Sequence, residues 1–89
     1  MAFIIKNNVL KRYTEEIGVV DVVIPDSVTK IGESAFEGCT SLQSITIPDG
    51  VTKIWKNAFD GCTSLVISAP AGSYAIEYAK KNKIKYVEI

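Results

Sequence analysis

Hydrophobic and polar positions recur along the chain with a period of 23 residues. The stretch IPDSVTKIGESAFEGCTSLQSI begins at Ile24, and the closely similar IPDGVTKIWKNAFDGCTSLVIS begins at Ile47. A repeat of this length is typical of a solenoid, in which each coil buries its apolar face only against its neighbours. The pattern therefore predicts two stacked coils.

Each coil is predicted to contain a short strand that ends at a proline. In SLQSITIP, Ile45 and Ile47 alternate inward across Thr46. Pro48 then ends the strand because proline has no amide donor. A shorter extended segment follows each Pro-Asp turn. The inward positions of these segments are predicted to be Val22, Ile24, Val28, Ile31, Ile45, Ile47, Val51 and Ile54.

The stretches SAFEGC and NAFDGC are predicted to form one helical turn in each coil. Phe36 and Phe59 hold the same place in the two repeats, so we expect both rings to be buried in register. Gly38 and Gly61 are predicted to end these turns, where a left-handed backbone is needed.

The segments outside the two repeats predict caps. FIIKNNVLKRYT indicates a hairpin that turns at Asn7 and Asn8, and the C-terminal segment indicates a helix over about 71–82 followed by an edge strand, IKYVEI. The distance from Leu65 to Pro70 is one residue shorter than that from Leu42 to Pro48. The faces of Val66 and Ile67 are therefore not assigned.

These residues resemble the BspA-like (Treponema-type) leucine-rich repeat, whose pattern is IP…VTxIGxxAFxxCxSL. The resemblance is close over residues 19–65. It implies an α/β repeat solenoid, mostly β, with two 23-residue coils capped by an N-terminal β-hairpin and a C-terminal helix plus strand. It implies one domain over 1–89, with a hairpin cap at 1–18, repeats at 19–41 and 42–65, and a helix-strand cap at 66–89.

The same resemblance implies a non-enzymatic protein–protein interaction module. Members of the family are typically bacterial repeat proteins, many of them attached to or exported onto the cell surface and associated with adhesion. By that resemblance, a longer protein containing this chain would be secreted or at the cell surface, and otherwise the chain would be cytoplasmic.

Composition and charge narrow the classes of partner. Ten basic and ten acidic residues cancel, so neither a nucleic acid nor an acidic membrane is implied. The first apolar run, MAFII, is too short for a signal peptide or a membrane span. We therefore expect a protein partner and no membrane insertion.

Candidate chemistry is sparse. The chain has no histidine, which removes the usual neutral-pH base and the commonest metal ligand, and it carries no cofactor motif. Asp26 and Asp49 could hold a cation between coils, but Pro-Asp is more often a turn, and the turn is favoured. No enzyme activity, cofactor or metal is therefore expected.

Cys39 and Cys62 lie at the same place in successive repeats. Stacked coils would separate them by about 5 Å, a distance that permits a disulfide. Parallel side chains present their Cβ atoms in one direction, which suits the disulfide torsion poorly. We expect two free thiols that act as small apolar core residues.

Trp55 is the main departure between the two repeats, since the first repeat has Gly32 there. Alternation from Ile54 points the indole outward, as a binding anchor or as a lid over Gly32 and the lysine stems. Both interpretations stay open. The candidate partner-binding residues are Asp21, Val23, Ser44 and Thr46 on the strand face, and Lys30, Lys53 and Trp55 on the opposite face.

Self-association is the alternative function. The hairpin edge and the IKYVEI edge are places where another chain could add a strand, although Lys83 and Lys85 oppose pairing at the second. Because both ends carry caps, we expect a monomer.

Overall fold

Two four-stranded sheets enclose one apolar core in the computed structural model, which describes residues 3–89. Sheet A has the strand order β1-β2-β4-β6, and sheet B has the order β3-β5-β7-β8. From β2 to β7 the chain alternates between the two sheets, and α1 then leads to β8, so the chain winds as a β-solenoid of about 4 turns. The elements are β1 (Phe3–Lys6), β2 (Val9–Tyr13), β3 (Asp21–Val23), β4 (Lys30–Ile31), β5 (Ser44–Thr46), β6 (Lys53–Ile54), β7 (Val66–Ala69), α1 (Tyr74–Lys81) and β8 (Lys85–Glu88).

The strand register follows the repeat in the sequence. Val22 of β3 lies opposite Ile45 of β5, and Ile31 of β4 lies opposite Ile54 of β6, both in parallel pairs. Equivalent apolar residues therefore stack on one another between the sheets. All eight predicted inward positions are buried: Val22, Ile24, Val28, Ile31, Ile45, Ile47, Val51 and Ile54.

A stack of aromatic rings runs through the core from one end to the other. Phe36 and Phe59 are buried with ring centroids 5.2 Å apart, which confirms the predicted register. Tyr13 stacks on Phe36 at 5.0 Å, and the ring of Tyr78 meets Phe59 edge-on at 6.1 Å. Phe3 adds a fifth ring, 5.5 Å from Tyr13. The caps thus continue the aromatic stack that the two coils begin.

The turns hold several left-handed residues. Gly38 and Gly61 have φ of 78° and 83°, as predicted for the ends of their turns, and Asn7 and Asn8 have φ of 53° and 65° in the predicted hairpin. The expected helical turns around Phe36 and Phe59 are wrong in detail. Ser34 and Asn57 also have positive φ, so each stretch forms successive tight turns. A helical turn would need negative φ at those two residues.

The C-terminal helix is shorter than the predicted 71–82 and begins at Tyr74. Gly72 has a φ of 78°, which belongs to a turn and not to a helix. Ser73 is the N-cap, and its hydroxyl accepts a hydrogen bond from the amide of Ile76. The prediction was wrong at this end because a capping serine and a left-handed glycine place the helix start after Pro70.

The last strands settle the unassigned faces of β7. Ile67 is buried and Val66 is half-buried, so Val66 faces outward. The predicted edge strand IKYVEI forms β8, Lys85–Glu88, which pairs in parallel with β7. Sheet B therefore gains one strand at the C-terminal end, where α1 contacts β6 of sheet A.

Candidate functional site: a lysine–tryptophan face

The outer side of sheet A carries a row of lysines. The register places Lys6 opposite Val9, Val9 opposite Lys30, and Lys30 opposite Lys53 across four neighbouring strands. Neighbouring strands lie about 4.8 Å apart, so the stems of Lys30 and Lys53 run side by side. All three lysines are exposed.

Trp55 lies just beyond this row. Its amide donates to the carbonyl of Ile31 at 2.9 Å, which holds the residue against the first coil. The Lys30 ammonium lies 5.9 Å from the centroid of its ring, within range of a cation–π attraction. Val9, Lys11, Gly32, Glu33 and Trp55 line a shallow cleft beside the ring. We call Lys6, Lys11, Lys30, Lys53 and Trp55 the lysine–tryptophan face.

Trp55 is 37% exposed, which agrees with the outward direction predicted for the indole. The rest of its surface is covered. Gly32 and the Lys30 side chain lie beside it, as the covering interpretation expects. Trp55 therefore combines a partly covered ring with an open side.

A side chain at position 32 of the first coil would lie close to the hairpin. A Cβ atom on Gly32 would lie 3.1 Å from the carbonyl oxygen of Leu10 in β2. That same oxygen accepts a hydrogen bond from the Gly32 amide at 2.9 Å, so it cannot move away freely. Trp55 makes the equivalent contact one coil later, since its amide donates to the Ile31 carbonyl at 2.9 Å, and Gly32 leaves room beside the indole.

Charge is unevenly distributed although the chain is neutral overall. The salt bridge in the described part of the chain joins Lys80 and Glu77 on α1, and none of the four lysines of the lysine–tryptophan face is paired with a carboxylate there. Like charges side by side on adjacent strands repel one another. Carboxylates brought by a partner would relieve that repulsion.

The candidates on sheet B form a less accessible surface. Asp21, Val23, Ser44 and Thr46 all face outward, but only the first two are fully exposed. The Ser44 hydroxyl donates to the Asp21 carboxylate at 2.6 Å, which occupies both side chains. Two further strands continue this face, so Ser44 and Thr46 are half-covered by their neighbours.

The cysteines are free, as expected from their stacked positions. Cys39 is buried and Cys62 is half-buried. The Cys62 thiol donates to the carbonyl of Phe36 at 3.1 Å. Burial, with a smaller contribution from Cys39, raises the pKa of the Cys62 thiol to about 11. Neither thiol is therefore activated as a nucleophile.

The remaining candidate chemistry is structural. Asp26 and Asp49 each follow the proline of a turn, closed by hydrogen bonds from Val28 to Pro25 and from Val51 to Pro48. Within residues 3–89 no group of three or more potential metal ligands comes together. Over the same residues, no helix has the length and apolar character that crossing a bilayer requires.

Sequence reasoning found three of the five residues of the lysine–tryptophan face and missed Lys6 and Lys11. Both lie in the hairpin, which carries no copy of the repeat motif. Their position depends on the parallel pairing of β2 with β4, Val9 opposite Lys30. A weak signal was present, since Tyr13 precedes Phe36 by the repeat length and places the hairpin in line with the coils.

Comparison with known proteins supports the repeat assignment. Residues 5–87 match a family model described as a BspA type leucine rich repeat region of 6 copies. No curated protein and no solved structure gave a significant match to the chain. The family match covers nearly the whole sequence, and the stacked coils and the aromatic stack agree with it. The chain belongs to the BspA-type leucine-rich-repeat family.

Proposed function

We propose that this chain is a non-enzymatic protein-interaction module whose lysine–tryptophan face binds an acidic segment of a partner protein. The observation that carries the proposal is Trp55, a partly exposed indole that replaces the glycine of the preceding coil. The family match supports an interaction role in general. The choice of face rests on the geometry of sheet A.

The face has the two features that an interface centre needs. Trp55 offers a large aromatic surface that is already held by the backbone and by Lys30, so little conformational entropy is lost on binding. The lysine row surrounds it with positive charge that steers an acidic partner toward it. A partner segment with an apolar side chain flanked by Asp or Glu fits both features.

An enzymatic role has little support. The described cysteines have raised pKa values, and no histidine exists to activate a serine or cysteine. We place the module in a bacterial surface or adhesion-type repeat protein. That part of the proposal rests only on the resemblance of the repeats to surface proteins of the family.

Binding experiments with matched charge variants test the proposal. Proteins captured on the immobilised chain, from extracts of the cells that produce it, are purified and titrated against wild type, Trp55→Gly and Lys53→Glu. Both variants are expected to weaken binding by about 30-fold, or ~2 kcal/mol. Lys85→Glu makes the same charge change on β8 of sheet B, off the face, and is expected to leave the affinity unchanged. Equal binding by all four proteins would contradict the proposal.

Self-association is the second candidate, favoured by the exposed apolar residues on two edge strands. Ile4 on β1 and Val87 on β8 are 56% and 49% exposed. An unprotected edge strand can pair with another chain. Light scattering after size exclusion decides between the two, because a concentration-dependent dimer would favour self-association and a monomer is expected.

A further inference from the structure

The two sheets end at different levels at the N-terminal end of the solenoid. Within residues 3–89, sheet A continues past β2 to β1, whereas sheet B stops at β3, which pairs with β5 alone. Sheet B therefore has space for one more strand beside β3, next to β1 of sheet A. At the C-terminal end the matching place in sheet B is filled by β8.

The backbone of β3 is prepared for another strand. The amide of Ile24 donates to Thr46 and the carbonyl of Val20 accepts from Ser44, so these residues point their backbone groups toward β5. Backbone groups alternate in direction along a strand. The amides and carbonyls of Asp21 and Val23 therefore point to the open edge, where no other strand of residues 3–89 pairs with them.

Apolar side chains also lie beside the open edge of β3. Ile5 of β1 lies opposite the buried Leu10, so it faces the inside of the solenoid, yet it is 38% exposed. Val23, on the outer side of β3, is 69% exposed. An added strand would cover Ile5 with its inward side chain and would place an outward side chain beside Val23.

We infer that the open edge of β3 accepts an extended segment of a different protein, added as a parallel strand of sheet B. The register of sheet B indicates the chemistry of that segment. A basic residue would lie beside the Asp21 carboxylate, an apolar residue would point inward beside Val22, and a β-branched residue would lie beside Val23. Strand addition of this kind gains affinity from the main chain and specificity from alternate side chains.

The chain's own β8 shows that sheet B accepts such a strand. Its outward residues, Lys85 and Val87, lie opposite Val66 and Ser68 of β7. On β3 the same two residues would face Asp21 and Val23, where charge and shape match. An intact second copy of the chain cannot place its β8 beside β3. The α1 helix that precedes this β8 would overlap with β1 at the end of sheet A. The occupant is therefore an extended segment one strand wide.

The probe is the acetylated and amidated peptide KIKYVEI, which copies residues 83–89 and is titrated into the full chain by NMR. Binding is expected to shift and protect the amides of Asp21 and Val23 and to shift the methyl groups of Ile5. Asp21→Lys is expected to weaken the affinity by at least about tenfold, and a peptide with glutamate in place of Lys85 should recover it by the reverse charge pair.

Val23→Pro supplies a second variant that removes an edge donor without touching the side of β3 that pairs with β5. It is expected to abolish peptide binding while β5 amide shifts stay unchanged. Trp55→Gly should bind the peptide as wild type does, which separates this inference from the proposed function of the lysine–tryptophan face.

Three outcomes would overturn the inference. The first is absence of binding at millimolar peptide. The second is binding that maps to β8 or to the lysine–tryptophan face. The third is a dimer of the chain that disappears in Val23→Pro, which would make a second copy the occupant of the edge.

Discussion

The two repeated coils agree inside and differ outside. Their inward residues stack with the same identity at most levels, such as Ile31 on Ile54 and Phe36 on Phe59. On the outer surface of sheet A, Gly32 of the first coil corresponds to Trp55 of the second. Gly32 touches the hairpin, whereas Trp55 lies beside the bare surface of that glycine. Stacking fixes the residues inside a coil, whereas the residues on its outer surface can differ from one coil to the next.

The largest expected effect concerns the shared interior. Phe36 lies between Tyr13 and Phe59 in the aromatic stack, so we expect Phe36→Ala to cost ~3–5 kcal/mol of the free energy of unfolding. Phe59→Ala should fall at the lower end of that range, because its ring is 6% exposed and meets Tyr78 only edge-on. Urea denaturation measures both. A Phe59→Ala protein as stable as wild type would show that the coils are not stacked in register.

The next effect tests how closely the hairpin approaches position 32. Gly32→Ala should lower the free energy of unfolding by about 1–3 kcal/mol, because the new Cβ meets the Leu10 carbonyl at 3.1 Å. A Cβ atom on Gly50 would meet the Asp26 carbonyl oxygen at 4.0 Å, an ordinary contact distance, so Gly50→Ala is the matched control and should be close to neutral. Equal effects of the two substitutions would show that the contact with the hairpin does not cause the loss of stability in Gly32→Ala.

A smaller effect on the free energy of unfolding is expected at Tyr13, where the hairpin cap contacts the first coil. The hydroxyl of Tyr13 is buried and has no hydrogen-bond partner within residues 3–89, although its ring stacks well on Phe36. An unsatisfied buried hydroxyl costs free energy, so Tyr13→Phe should raise the free energy of unfolding by about 1 kcal/mol. A melting temperature below that of wild type would indicate that the hydroxyl makes a useful contact.

The smallest expected difference between the coils concerns the contribution of their cysteines to stability, and it is visible only at high pH. Burial raises the pKa of Cys62 from the ordinary 9.0 to about 11, so between these values the unfolded chain loses the proton first. Stability is therefore complete below pH 9 and falls as the pH rises toward 11. Cys62→Ala should flatten this fall, and Thr63→Ala, a neighbouring exposed change, should not. An unchanged slope in Cys62→Ala would assign the pH dependence to other groups.

The interior of the coils could be predicted from the sequence because each inward residue occurs at the same place in both repeats. Ile45, Phe36 and their equivalents recur at one spacing, and only stacking explains such a recurrence. The caps lack that second copy. The start of α1 depended on the backbone of Gly72, and the positive φ of Ser34 and Asn57 depended on local turns that no hydrophobic pattern records.

The candidate site was predicted only where it lies within the repeats. Lys30, Lys53 and Trp55 could be assigned to one face from their equivalent positions. Lys6 and Lys11 joined them through strand pairing between the hairpin and the first coil, which is a long-range contact. The open edge of β3 likewise depends on where each sheet stops, and that information is absent from the repeat itself.

The central claim, that Trp55 anchors a partner, is tested most directly by Trp55→Gly, which gives the second coil the residue of the first. The measurement is the affinity of the purified partner for both proteins, taken alongside urea denaturation and iodide quenching of the wild-type indole. We expect an affinity loss of about 30-fold, or ~2 kcal/mol, with the free energy of unfolding changed by no more than about 1 kcal/mol. A shielded indole, a stability loss above ~2 kcal/mol and an unchanged affinity would show that Trp55 only covers the coil beneath it.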